Sequence, residues 1–336
     1  MRLRLTSFRA TLVLLALASV AAAQDPLPSW NNTQPKQAIL QFVKTTTDPS
    51  SPSFIPLDRR VAAFDQDGTT WVEQPIFTEL VFALDRIVAM APGHPEWKTT
   101  QPFQAILSGD RATMEKFTLG DLEAILLATH SGMPVAEFQA TVRDWLSKAK
   151  DPRWHRPYPE LVYQPMLELM RYLRANGFKT YIVSGGGQDF VRAYAERVYG
   201  IPPDQVIGTA LKLQYGYDKG GQAVLTESPK LLMNNDGSGK AKDLYLYLGQ
   251  PPAAAFGNST GDKQMLEYTQ SAPGAHLMML VLHDDPKREY AYGPADNLPE
   301  SKIGRFTDGL YNEAKSRGWT VIRMKDDWKR IFAFEK

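Results

Sequence analysis

Two apolar patterns alternate along this chain: short unbroken runs bounded by polar or glycine-rich turns, and longer stretches whose apolar positions recur at helical spacing. The short runs Val61 to Phe64, Lys179 to Val183, Val206 to Ala210, Ala253 to Phe256, Ala275 to Leu282 and Thr320 to Met324 predict buried strands. Between them the longer pattern predicts helices. Ile76 to Met90 is apolar enough for one; Pro165 to Asn176 buries Met166, Leu169, Met170 and Leu173 and stops at Gly177; Asp189 to Tyr199 stops at Gly200. Two more helices start near Lys240 and at Lys263, the latter ending at Thr269. Strands and helices taking turns in this way predict an α/β fold with a doubly wound parallel sheet.

Three stretches depart from the alternation. Residues 92–155 show no convincing strand: Pro92, Gly93 and Pro95 break the preceding helix. Asp121 is then placed to cap a helix carrying Leu122, Ile125 and Leu126, and Pro134 to open another in which Val135, Phe138, Val142, Trp145 and Leu146 share a face. This reads as a helical cap inserted into a core made of residues 59–91 and 156–336. Residues 24–58 are rich in Pro, Ser, Thr and Asn around the apolar segment Ala38 to Val43, an N-terminal arm with one helix. Leu211 to Tyr215 and Gln222 to Thr226 flank a turn and predict a β-hairpin outside the main sheet.

The first 23 residues read as an address. Arg2, Arg4 and Arg9 precede the apolar run Thr11 to Val20, and Ala21-Ala22-Ala23 offers small residues for cleavage before Gln24. That run is shorter than the about 20 apolar residues a membrane span needs, so a periplasmic or secreted protein without a membrane anchor after cleavage is expected. Formal net charge over the 336 residues is +1, which leaves no global field for nucleic acid or a membrane surface. The chain has no cysteine, which excludes disulfides, thiolate metal sites and a thiol nucleophile. Oxygen and histidine donors remain.

Polar residues collect where the strands end. The first run stops at Asp65-Gln66-Asp67-Gly68-Thr69, and the two aspartates cannot both be buried without partners, since an unpaired buried carboxylate costs several kcal/mol. The second run stops at Ser184-Gly185-Gly186-Gly187, a glycine-rich turn precedes Lys240, and the fourth run stops at Gly257-Asn258-Ser259-Thr260-Gly261-Asp262. The carboxyl ends of parallel strands lie along one edge, so these clusters can meet there. Together they hold a nucleophile, anion donors, a cation and metal ligands, the inventory of phosphoryl transfer. His283, at another strand end, and Trp71, beside the first cluster, read more readily as a capped strand end and a core residue.

With these four clusters in this order, residues Val61 to Thr269 resemble the haloacid dehalogenase superfamily of phosphohydrolases, in its phosphoserine-phosphatase-like branch with a helical cap between the first two motifs. DQDGTTW and GNSTGD carry most of the resemblance. It implies that Asp65 is the nucleophile that forms an aspartyl phosphate, and that Asp67 is general acid and then base, its backbone carbonyl also a metal ligand. It further implies that Thr69, Ser184, Gly185 and Lys240 hold the phosphate, and that Mg²⁺ is bound by Asp65, Asp67, Asn258 and Asp262. Many relatives place aspartate at Asn258, so the resemblance also implies a weaker hold on Mg²⁺ unless Asp262 compensates, and Asn258→Asp is expected to tighten it. The implied activity is Mg²⁺-dependent hydrolysis of a small phosphorylated substrate. Transfer to an alcohol acceptor, and a secreted protein that binds a phosphorylated ligand without cleaving it, are the alternatives.

Overall fold

The computed structural model describes residues 25–335; the expected signal segment lies outside them. At its centre is a seven-stranded sheet. The strands are β1 (Val61–Phe64), β2 (Lys179–Gly187), β3 (Val206–Tyr217), β4 (Ala223–Met233), β5 (Ala254–Gly257), β6 (Leu277–Leu282) and β7 (Thr320–Arg323), arranged in the order β4-β3-β2-β1-β5-β6-β7. All neighbours pair in parallel except β3 and β4, which are antiparallel. Side chains alternate across the sheet as a strand requires: Ala62 and Phe64 of β1 join one apolar cluster, Ala63 the other. Helix Gln164–Ala175 and the arm helix Gln34–Thr47 supply the first cluster through Met166, Leu169, Ile39 and Phe42. Helices Ser238–Leu248 and Lys263–Gln270 supply the second through Leu244, Met265 and Leu266. With both faces covered, β1 is fully buried and its polar sequel at Asp65 has only the edge to go to.

Between β1 and β2 lie helices and turns only, including Thr78–Met90, Leu119–His130 and Val135–Lys148. Helix Thr78–Met90 contributes Ala83 and Ile87 to a third apolar cluster with Trp97, Ile106 and Ile125, so this helix packs with the inserted ones. Asp121 does not cap Leu119–His130 as an N-cap. Thr118 does, its hydroxyl accepting from the Asp121 N–H while the Asp121 carboxylate reaches back to the Thr118 N–H, a capping box. Among the described residues no helix is long and apolar enough to cross a membrane.

Three further expectations are corrected. The strand expected to stop at Val183 runs on through the glycines to Gly187, with a register shift against β3 on the way. The hairpin expected outside the sheet is continuous with it: β3 passes Ala210 without a break and β4 returns alongside to Met233. Beyond Ala210 the strand leaves the covered part of the sheet, and Leu213, Tyr215 and Tyr217 are exposed, which is why the apolar run seemed to end there. Finally, the helix expected over Asp189 to Tyr199 is two short ones, Gln188–Arg192 and Ala195–Tyr199.

Candidate active site

Strand register brings the polar clusters to one edge. Phe64 of β1 pairs with Ile182 of β2 on one side and Phe256 of β5 on the other, so Asp65 and Asn258, just past their strands, and Ser184, still within β2, stand at nearly the same level. The Asp65 N–H donates to the Phe256 carbonyl at 2.9 Å. Lys240 Nζ donates to its Oδ1, and Thr69 Oγ1 lies 3.3 Å from its Oδ2.

Lys240, near the start of helix Ser238–Leu248, is 2% exposed, and its ammonium also reaches Asp262 Oδ1 at 2.6 Å. Asp262 Oδ2 accepts the N–H groups of Asn258 at 2.9 Å and Ser259 at 3.0 Å. Both oxygens of Asp262 are thus engaged in holding the lysine and shaping the GNSTGD loop. Burial pushes the Asp65 carboxyl up to about 8, the Asp262 charge pushing the same way and the Lys240 ammonium against it. Burial pulls the Lys240 ammonium down, but the two carboxylates outweigh that and leave it above the usual lysine value.

Asp67 is set apart from its neighbour. Its Oδ1 accepts the Trp71 indole N–H at 2.7 Å, and burial raises its carboxyl to about 7 against the pull of that hydrogen bond, with the Glu79 charge adding to the rise. Trp71 is buried as expected of a core residue, stacked on Tyr194 with ring centroids 5.0 Å apart, and that packing aims its donor at Asp67.

Ser184 is buried at the same edge; its Oγ accepts from the Gly186 N–H at 3.0 Å and its carbonyl from Asn235 Nδ2 at 2.8 Å. Gly185 is exposed, with its carbonyl bonded to the Thr209 hydroxyl at 2.7 Å. Direct bonds therefore join Asp65, Thr69, Lys240, Asn258 and Asp262, whereas Asp67, Ser184 and Gly185 share the edge without bonding to that group.

The Thr69 hydroxyl stands between two acceptors, Asp65 Oδ2 and Asn258 Oδ1, at 3.3 and 3.2 Å. One hydrogen cannot serve both. Two hard oxygens within reach of one hydroxyl, in a site that among the described residues sets the carboxyls of Asp65, Asp67 and Asp262 against the one ammonium of Lys240, are a donor set and a charge balance that fit Mg²⁺.

Several residues at the site escaped sequence reasoning. Glu73, 3% exposed, accepts from Asn258 Nδ2 at 2.7 Å and from the Tyr292 hydroxyl at 2.8 Å, both at Oε1. Burial raises its carboxyl well above the ordinary value, with Asp67 and Asp65 pushing the same way. Its only sequence signal is an acidic residue directly after the apolar pair Trp71-Val72. Glu79 accepts the Gly187 N–H at 2.8 Å and contacts His130 Nε2 at 3.1 Å, so it ties its own helix and the inserted helix Leu119–His130 to β2. His283 does reach the site from behind: its Nε2–H donates to the Gly68 carbonyl at 2.7 Å and its Nδ1 meets Glu289 Oε2 at 2.9 Å.

A family model, haloacid dehalogenase-like hydrolase, matches residues 62–267. A conserved functionally unknown protein from Anaerococcus prevotii DSM 20548 shares the fold: 14% identity, TM-score 0.55, with 85% of this chain and 90% of that one covered. A protein with unknown function from Bordetella pertussis Tohama I is 18% identical over 79% of this chain and 98% of that one, with a TM-score of 0.47. A phosphoserine phosphohydrolase-like protein from Francisella tularensis subsp. tularensis SCHU S4 is 15% identical over 67% and 88%, with a TM-score of 0.37. Among curated proteins, none matches.

Proposed function

We infer that this chain, which belongs to the haloacid dehalogenase-like hydrolases, hydrolyses phosphate monoesters through a phosphorylated Asp65. The observation that carries this reading is the division between its two aspartates. Asp65 is held by Lys240 at one oxygen and lies open to Thr69 at the other, while Asp67, with its carboxyl near 7, is held apart by Trp71. One is placed to attack and the other to exchange a proton near neutral pH.

In the first step an Asp65 oxygen forms a bond to phosphorus as the ester oxygen leaves, and Asp67 gives that oxygen its proton. In the second, Asp67 takes a proton from water as the water oxygen attacks the phosphorus, and phosphate departs with Asp65 restored. Lys240 offsets charge on the nucleophile throughout, and Ser184 with the Gly185 and Gly186 backbone lines the edge where the phosphoryl oxygens would rest. Asp65 Oδ2, Asn258 Oδ1 and the Asp67 carbonyl are the groups that would hold Mg²⁺; when bound, the ion supplies positive charge to the transferring phosphoryl group. We assign the protein to the periplasm or the exterior, with cleavage after Ala23, which N-terminal sequencing of the exported protein checks.

Asp65→Asn is the test. The variant, assayed with a panel of phosphate monoesters and Mg²⁺, is expected to lose turnover by about a thousandfold or more, as removal of a covalent nucleophile does. Near-normal turnover by that variant ends the proposal. Products analysed with glycerol present distinguish water from an alcohol as acceptor.

A further inference from the structure

We propose that Glu73 is the positioning residue of the metal site: by accepting from Nδ2 it orients the Asn258 amide so that Oδ1 faces Asp65. The inference rests on the Mg²⁺-dependent reading above.

Asn258 is 1% exposed, and its two polar ends meet different neighbours. Nδ2 donates to Glu73 Oε1 at 2.7 Å, and Oδ1 receives the Thr69 hydroxyl at 3.2 Å. Reversing the amide would set its oxygen against a carboxylate, so Glu73 fixes which atom is offered to a cation. Glu73 is itself locked. The Tyr292 hydroxyl donates to the same Oε1, and the Tyr292 ring stacks on His283 with centroids 4.4 Å apart. The Gly68 carbonyl in turn accepts from His283. No side chain fits between these groups: a Cβ on Gly68 would run into Asn258 Nδ2 and Glu73 Oε1, and one on Gly304 into Glu73 and Tyr292. Such enclosure of a carboxylate directly behind a neutral ligand is the arrangement by which outer groups orient and polarise the inner ones. Asp262 does not serve this purpose, since its oxygens hold Lys240 and the loop amides.

The expectation that Asn258→Asp tightens Mg²⁺ is therefore reversed. An aspartate at this position has no N–H to give Glu73 Oε1, so the hydrogen bond that holds the ligand's orientation is lost. The test is calorimetric titration of Mg²⁺ into purified metal-free protein, with circular dichroism confirming that each variant is folded. Glu73→Leu, which removes the acceptor, is expected to weaken Mg²⁺ binding by about tenfold to a hundredfold, the usual effect of losing such a partner. Asn258→Asp alone is expected to bind no tighter than the native protein. The double variant Glu73→Gln/Asn258→Asp exchanges amide and carboxylate, restores a donor–acceptor pair, and is expected to bind Mg²⁺ more tightly than Asn258→Asp alone. Native-like binding by Glu73→Leu, or a double variant no better than Asn258→Asp alone, overturns the role of Glu73 while leaving phosphatase function standing. Native protein that turns over phosphate esters yet binds no Mg²⁺ overturns both the inference and the metal dependence.

Discussion

At the scale of the residue, the site works by giving chemically identical side chains unlike surroundings. Asp65 faces an ammonium and a hydroxyl, and Asp67 faces an indole. The indole N–H favours the charged form of Asp67 and so lowers a carboxyl that burial has raised to about 7. Removing that donor acts in one direction only. Trp71→Phe keeps the stacked ring on Tyr194 but loses the hydrogen bond, so Asp67 should hold its proton to higher pH. A neutral donor is worth about 1 kcal/mol net, which corresponds to roughly 0.7 of a pH unit. The alkaline limb of the kcat/KM profile, where the general acid loses its proton, is expected to move up by about that amount. An unmoved or acid-shifted limb would show that Trp71 does not tune the catalytic acid.

Among the elements, β1 and β5 carry the chemistry in a form that was legible in the chain, because each is a short apolar run whose polar sequel is contiguous with it. DQDGT and GNSTGD follow Phe64 and Phe256 directly, and parallel register does the rest. What was not legible depends on contacts between distant segments. The three glycines after Ser184 look like a turn, yet they extend β2, since Gly186 and Gly187 must pass close to Glu79. Glu73 and Tyr292 come from segments 219 residues apart, and neither carries a motif. Glu79 shows how the inserted helices depend on this edge. It is 8% exposed, with its carboxylate on the Gly187 N–H and the His130 ring. Glu79→Ala leaves that N–H unpaired in a largely closed site, which costs about 1–3 kcal/mol. Urea denaturation should show a loss of that size; a change under 0.5 kcal/mol would mean that water replaces Glu79 and that the helices are held to β2 by apolar packing alone.

The charges of the whole molecule nearly cancel, but those of its centre do not. Among the described residues Lys240 is the one cation bonded to this cluster, and burial raises Asp65 to about 8, Asp67 to about 7, and Glu73 well above the ordinary glutamate value. In the unfolded chain the same groups titrate near 4. Between those limits the folded protein binds more protons than the unfolded one, so the slope of unfolding free energy against pH is negative. The protons contribute stability fully below about pH 4, and that contribution is lost as pH rises through the folded values toward 8. The metal-free protein is therefore expected to unfold at steadily lower temperature between pH 5 and pH 8, the reverse of a protein whose carboxylates are well paired. Saturating Mg²⁺ should flatten that slope, because a divalent ion favours the ionised carboxylates and removes the reason for proton uptake. Thermal unfolding at several pH values, with EDTA and with Mg²⁺, measures both slopes at once. A metal-free slope that is flat or positive would mean that Lys240 and the surrounding donors already balance the cluster, and that the site has no electrostatic need for a second cation.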